Sequence, residues 1–116
     1  MATTDLDDDA KRAVRKDFGE AVNMSASALR TWLDTDESRL VGDTSGSDKE
    51  STGHEMGRHI VDLRDKHTAD LDDEDYGRMR KVVGYVHRHL AQRPKGDVTE
   101  TKWRYSLMNW GHDPLK

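Results

Sequence analysis

Apolar residues recur every three or four positions through most of this chain, whereas no segment alternates apolar and polar residues as a half-buried strand does. This spacing places apolar side chains along one face of a helix. Only 33% of the 116 residues are hydrophobic and 36% are charged, so the core must be small and the helices must keep solvated outer faces. The pattern therefore predicts an all-α fold, a single compact domain of about five helices.

Each of the five predicted helices has its own stripe of apolar residues. The clearest stripe is that of the fourth helix, which is predicted to begin among the acidic residues of 70–75 and to end at Pro94 and Gly96. Its stripe consists of Tyr76, Met79, Val82, Val83, Val86 and Leu90. The stripe of the third helix consists of Met56, Ile60, Leu63 and His67, and the remaining stripes begin at Ala10, Leu29 and Trp103. These helices are expected to pack as one core.

The predicted domain organisation is simple. Residues 1–8 are expected to form a disordered acidic N-terminus, and residues 9–116 a single helical domain with a flexible loop at about 35–50, which is rich in Asp, Ser, Thr and Gly. The chain has no cysteine, which excludes disulfides and thiolate metal sites. It also lacks the apolar run of a signal sequence or a membrane span, so a cytoplasmic protein without membrane association is expected.

The charge of the chain reverses along its length. Residues 1–50 hold twelve acids and seven bases, a net charge of −5, while residues 78–104 hold eight bases and two acids, a net charge of +6. The eight bases are Arg78, Arg80, Lys81, Arg88, Arg93, Lys95, Lys102 and Arg104. A basic segment of this kind is typical of a surface that binds a polyanion. We therefore predict these eight residues as a nucleic-acid-binding site.

Helical spacing places part of this site on one face of the fourth helix. Arg80, Lys81 and Arg88 lie roughly opposite the apolar stripe. Gly84 sits among them, and a glycine in the middle of a helix costs about 1 kcal/mol relative to alanine. Its presence indicates close approach of another group, either a phosphate backbone or a neighbouring helix.

No catalytic or metal-binding motif emerges from the histidines and acids. His54 and Glu55 precede His59, but the zinc-protease motif needs its two histidines four residues apart, and these are five apart. His87 and His89 are two residues apart, so they cannot share a metal within one helix. The acidic stretches lack the glycine and the closing glutamate of a calcium loop. We therefore predict no metal, no cofactor and no catalytic residue.

Four runs of sequence resemble a small domain-of-unknown-function family, DUF3140. They are VNMS at residues 22–25, WLDTDES at 32–38, MRKVVGYVHRH at 79–89 and WRYSLMNWGHDP at 103–114. Members of this family commonly carry the automatic name "DNA-binding protein". The resemblance implies an association with DNA but no defined mechanism and no catalytic residues.

The leading hypothesis is a small non-enzymatic DNA-associated protein that binds duplex DNA mainly through its phosphates. The alternative is a helical protein–protein interaction module or homodimer, because the last helix carries Trp103 and Trp110 on one side and Tyr105 and Met108 on another. An enzyme ranks third, with His54, Glu55, His59 and His112 as candidates. Burial of Tyr105 and Met108, with the basic residues clustered on one open face, would favour DNA. Pairing of the basic residues with the acids of residues 70–75, with an apolar patch left exposed, would favour a protein partner.

Overall fold

The structure, a computed structural model, describes residues 7–41 and 52–116. Within these ranges the chain forms six α-helices and a short 3-10 turn at Thr68–Asp70, with no strand. The helices are α1 (Asp8–Ala21), α2 (Ala26–Leu33), α3 (Asp36–Leu40), α4 (Thr52–Asp65), α5 (Asp73–Leu90) and α6 (Lys102–Asn109). The predicted all-α single domain is confirmed.

Side-chain caps explain where most of these helices begin. The side chains of Asp7, Ser25, Thr35 and Thr101 each accept a hydrogen bond from a backbone N–H in the first turn of the following helix. At α5 the caps are reciprocal, because Asp72 accepts from the Asp75 N–H and Asp75 accepts from the Asp72 N–H. Lys66 adds a 2.7 Å hydrogen bond to the buried Asp75 carboxylate. The start of α5 is therefore fixed from two sides.

The helices pack as two pairs joined by α6. Helix α1 packs mainly against α5, helix α2 mainly against α4, and α6 contacts α2, α3, α4 and α5. Arg15 of α1 donates to Tyr76 in the first turn of α5, while Ala21 lines the same groove as Val86 and Leu90. Residue numbers thus rise together along the contact, so α1 and α5 run in the same direction.

Two features of the backbone bring α6 close to its neighbours. A Cβ at Gly57 of α4 would lie 2.6 Å from the Asn109 carbonyl oxygen, so only glycine lets α4 approach α6 this closely. Gly111 ends α6 at a φ of 82°, with its N–H bonded to the Met108 carbonyl and the next N–H bonded to the Leu107 carbonyl. This arrangement is a Schellman motif, which glycine favours.

The structure corrects several details of the prediction. Helix α3 covers Asp36–Leu40, where a loop was expected, because Thr35 caps this short segment. Asp8, assigned to the disordered N-terminus, begins α1. Val83 is only half-buried, and His67 is exposed beyond the end of α4. The rest of the predicted tail (1–6) and of the predicted loop (42–50) lies outside the described residues.

Candidate nucleic-acid interface

Asn109 is the polar centre of the contact between α6 and the helices around it. Its side chain is buried, accepts hydrogen bonds from Trp32 Nε1 at 2.7 Å and from Ser38 Oγ at 2.5 Å, and donates to the Ser38 carbonyl at 3.0 Å. These bonds tie α2 and α3 to α6. All three of the amide's bonds are internal, so Asn109 is a structural residue.

A second network fixes the segment after α6 to the connection between α1 and α2. Asn23 and Asp113 exchange two hydrogen bonds, from Asn23 Nδ2 to the Asp113 carbonyl and from the Asp113 N–H to Asn23 Oδ1. Arg104 donates from Nε and Nη2 to the two carboxylate oxygens of Asp113, each at 3.1 Å, and from Nη1 to the Thr99 carbonyl at 2.9 Å. Burial acts to raise the pKa of Asp113, but the hydrogen bonds from Arg104 and from the Leu115 N–H, together with the nearby positive charge of Arg104, outweigh burial and hold that pKa below its usual value.

A ladder of stacked rings joins α5 to α6. Tyr85 stacks on Trp110 at a centroid distance of 4.0 Å and an interplanar angle of 9°, and on His89 at 5.1 Å and 16°. His89 in turn stacks on Trp103 at 6.2 Å and 13°, and the Arg93 guanidinium lies over Trp103, 5.4 Å from the ring centroid. We call Trp110, Tyr85, His89 and Trp103 the aromatic ladder.

The ladder contains a buried histidine nitrogen with no hydrogen-bond partner. Nε2 of His89 has none in the described part of the chain, although the backbone carbonyl of His89 accepts from Trp103 Nε1 at 2.7 Å. Burial lowers the pKa of His89, against a weaker opposing hydrogen bond to the Trp103 backbone. The ladder was not predicted from the sequence. The signal was the pairing of Tyr85 and His89, four apart, with Trp103 and Trp110, seven apart.

The structure divides the eight basic residues predicted to bind DNA into two groups. Arg78 and Arg104 are partly buried and paired, Arg78 with Glu74 at 2.9 Å and Arg104 with Asp113. The other six are exposed, and none makes an ion pair with any residue that the structure describes. We call these six the free basic surface: Arg80, Lys81, Arg88, Arg93, Lys95 and Lys102.

Part of the free basic surface lies on the outward face of α5. Lys81 and Arg88 are seven residues apart, so they share one helix face about 10 Å apart along the axis. Gly84 lies between them, and a Cβ there would be 3.1 Å from Nη1 of Arg88. The group that approaches Gly84 is therefore the Arg88 guanidinium, not a neighbouring helix. Arg93 and Lys95 follow the helix, and Lys102 begins α6.

The apolar side of α6 is largely covered. Tyr105 is half-buried and its ring lies 5.3 Å from that of Trp32, and Met108 is half-buried against the core. Among the side chains that the structure describes, the one large apolar group that is exposed is Leu115, at 45%. The surface in the described ranges therefore offers charge rather than an apolar patch.

The histidines considered as catalytic or metal-binding candidates serve different contacts. His54 Nε2 lies 2.7 Å from the Leu33 carbonyl, and His112 Nδ1 lies 2.7 Å from the Ala21 carbonyl. His59 is half-buried on α4 and Glu55 is exposed. In residues 7–41 and 52–116 no three metal-ligating side chains lie together as a metal site requires.

None of the helices in those ranges is both long enough and apolar enough to cross a lipid bilayer.

The four runs of sequence that resemble a known family meet around α6. Residues 32–38 reach it through Asn109, residues 22–25 through Asp113, and residues 79–89 through the aromatic ladder. Searches against curated proteins and against solved structures found no match to the chain. Residues 17–108 match the model of a family described as a protein of unknown function. This match covers most of the chain, which therefore belongs to the DUF3140 family.

Proposed function

We propose that this protein binds DNA through the phosphate backbone, using the free basic surface on α5 and at the start of α6. Exposed lysine and arginine side chains without acidic partners attract phosphates and release the counterions condensed on DNA. Contacts of this kind do not depend on base sequence. The proposal involves no catalytic step, and it retains the cytoplasmic location expected from the sequence.

One observation carries this proposal: six of the eight predicted bases are exposed and make no ion pair with the described residues. A charged side chain that supports the fold is usually paired, as Arg104 is. The six therefore remain available to an anionic partner. Arg88 and Lys81, which share one helix face, form the centre of the proposed contact.

The charge distribution along α5 supports an oriented contact. The first turn of α5 carries Asp73, Glu74 and Asp75, and the last turn carries Arg88. Because α1 runs parallel to α5, its acidic first turn with Asp8 and Asp9 lies toward the same end. A duplex would be attracted to the C-terminal half of α5 and repelled from the N-terminal ends of both helices.

Duplex binding measured across a sodium chloride series tests this proposal. The probe is a labelled duplex of random sequence, and the variants are the double change Lys81→Ala with Arg88→Ala and a charge-matched control, Lys16→Ala with Arg64→Ala. The control residues are exposed on α1 and α4 and do not belong to the free basic surface. Each lost phosphate contact should reduce the slope of log K against log salt by about 0.9, so the test variant should lose about 2 and the control none.

Three outcomes would count against the proposal. Wild-type protein that does not bind duplex at low salt would overturn it. An equal loss of slope in the test and control variants would show that the effect depends on the net charge of the protein and not on the free basic surface. Binding that differs strongly between duplex sequences would contradict a contact made through phosphates.

A further inference from the structure

The aromatic ladder ends in a group that can be exchanged. Its rings follow one another from Trp110 through Tyr85 and His89 to Trp103, with interplanar angles of 9° to 16°. The Arg93 guanidinium also lies over the Trp103 ring, 5.4 Å from its centroid. Arg93 belongs to the connection after α5, is exposed, and makes no ion pair with the described residues.

The cover over Trp103 is therefore held by a weak contact. Trp103 itself is fixed, because it is only 8% exposed and its Nε1 donates to the His89 carbonyl at 2.7 Å. One exposed cation–π contact is weaker than the stacking of a nucleobase on an aromatic ring. If Arg93 moves onto a phosphate, it exchanges the weaker contact for a stronger one and uncovers a rigid ring face.

The charges beside Trp103 suit a nucleotide. Lys102 precedes Trp103 in α6, and Lys95 lies two residues beyond Arg93; both are exposed and belong to the free basic surface. A stacked nucleobase carries a phosphate on each side, and these two exposed lysines, close in sequence to Arg93 and Trp103, are the cations that would contact the backbone of the same strand.

We infer that Trp103 is a stacking site for an unpaired base of the bound DNA, and that Arg93 covers this site until a phosphate draws it away. This inference rests on the proposed function and adds to it a preference for DNA with single-stranded bases. In the bound state the nucleobase takes the place of the Arg93 guanidinium over the Trp103 ring.

The experiment uses the full chain and three DNA probes with the same duplex segment. One duplex is blunt, one carries a short tail of thymidines, and one carries a tail of the same length made of abasic residues, which keeps the phosphates and removes the bases. The thymidine tail should bind about five-fold or more tightly than the abasic tail, which is the lower end of the effect of one stacked base.

The second measurement follows the indole N–H signals in a nitrogen–proton NMR spectrum. The three tryptophans give three such signals, which Trp32→Phe and Trp110→Phe variants assign. The Trp103 signal should shift more with the thymidine tail than with the abasic tail, because the abasic phosphates draw Arg93 away but place no nucleobase on the ring. Arg93→Ala should lower affinity for all three probes but keep the preference for thymidine, whereas the control Arg88→Ala should lower affinity and leave Trp103 covered in the free protein.

The outcomes separate this inference from the proposed function. Equal affinity for the two tails overturns the stacking site while binding to the blunt duplex still supports phosphate contacts. A preference for thymidine with an unmoved Trp103 signal assigns base recognition to another place and also overturns it. Failure to bind any of the three probes overturns both proposals.

Discussion

Arg104 and Arg88 are the same residue type in the same basic segment, yet the fold uses them differently. Arg104 places three of its donors on Asp113 and on the Thr99 carbonyl. Arg88 lies on the outward face of α5, over Gly84, with no ion pair to any described residue. A local excess of positive charge in a sequence therefore includes two kinds of basic residue. Some, such as Arg104, stabilise the fold, and others, such as Arg88, make no ion pair with the described residues.

The surroundings of α6 and the outward face of α5 show the same contrast at a larger scale. Around α6, polar side chains such as Asn109 and Asp113 bond to other parts of the chain. On the outward face of α5, Lys81 and Arg88 point to solvent and Gly77 meets nothing within 4 Å of an added Cβ. The first region should respond to substitution with a loss of stability, and the second with a loss of binding.

The largest stability effect is expected at Asn109. Asn109→Ala removes three hydrogen bonds and leaves Ser38 and Trp32 with unmet polar groups in a buried site. We expect a loss of about 3 kcal/mol in the free energy of unfolding, measured by chemical denaturation. Ser106→Ala, on the same helix, removes only the hydrogen bond with Tyr85; it is the control and should cost much less. A loss below about 1 kcal/mol at Asn109 would show that the network is not cooperative.

The next effect compares Arg104 with Arg88 directly. Arg104→Ala breaks the bidentate pair with Asp113, whose side chain is 19% exposed, so a loss of about 2 kcal/mol is expected. Arg88→Ala removes an exposed side chain and should change the free energy of unfolding by less than about 0.5 kcal/mol. Thermal or denaturant unfolding of both variants measures the difference. Equal losses would contradict the division of the bases into two groups.

A smaller effect is expected from pH at His89. Its pKa is lower in the folded chain than in the unfolded chain, so the unfolded state binds more protons and stability falls as pH drops below about 6.5. His89→Phe keeps an aromatic ring in the ladder and should reduce that loss, which unfolding measured across pH would show. Asp113 and Asp75, whose pKa values are lowered, add losses only at more acidic pH, near and below 4.

Much of the fold follows from the spacing of apolar residues. The stripe through Met79, Val82 and Val86 is buried as expected, because helical periodicity fixes which face meets the core. Helix α3 was missed because its five residues include four polar ones and give no periodic signal. The cap at Thr35, followed by Asp36 and Glu37, was the available sign of a helix start.

The candidate site was less predictable than the fold. Exposure of Lys81 and Arg88 follows from their place opposite the apolar stripe. The pairing of Arg104 does not, because Asp113 lies nine residues away, beyond the turn at Gly111, and only that turn brings the two together. The spacing of Tyr85 and His89 and that of Trp103 and Trp110 place each pair on one helix face, but the aromatic ladder also depends on how α5 and α6 meet, which these spacings do not specify.

The salt dependence of duplex binding by Arg88→Ala and Arg104→Ala tests the central claim most directly. Both variants lose one positive charge, and both are measured at a temperature where each is folded. The account predicts that Arg88→Ala reduces the slope of log K against log salt by about 0.9, while Arg104→Ala leaves the slope of the wild type unchanged. Equal slopes for the two variants, or a reduced slope for Arg104→Ala alone, would contradict it.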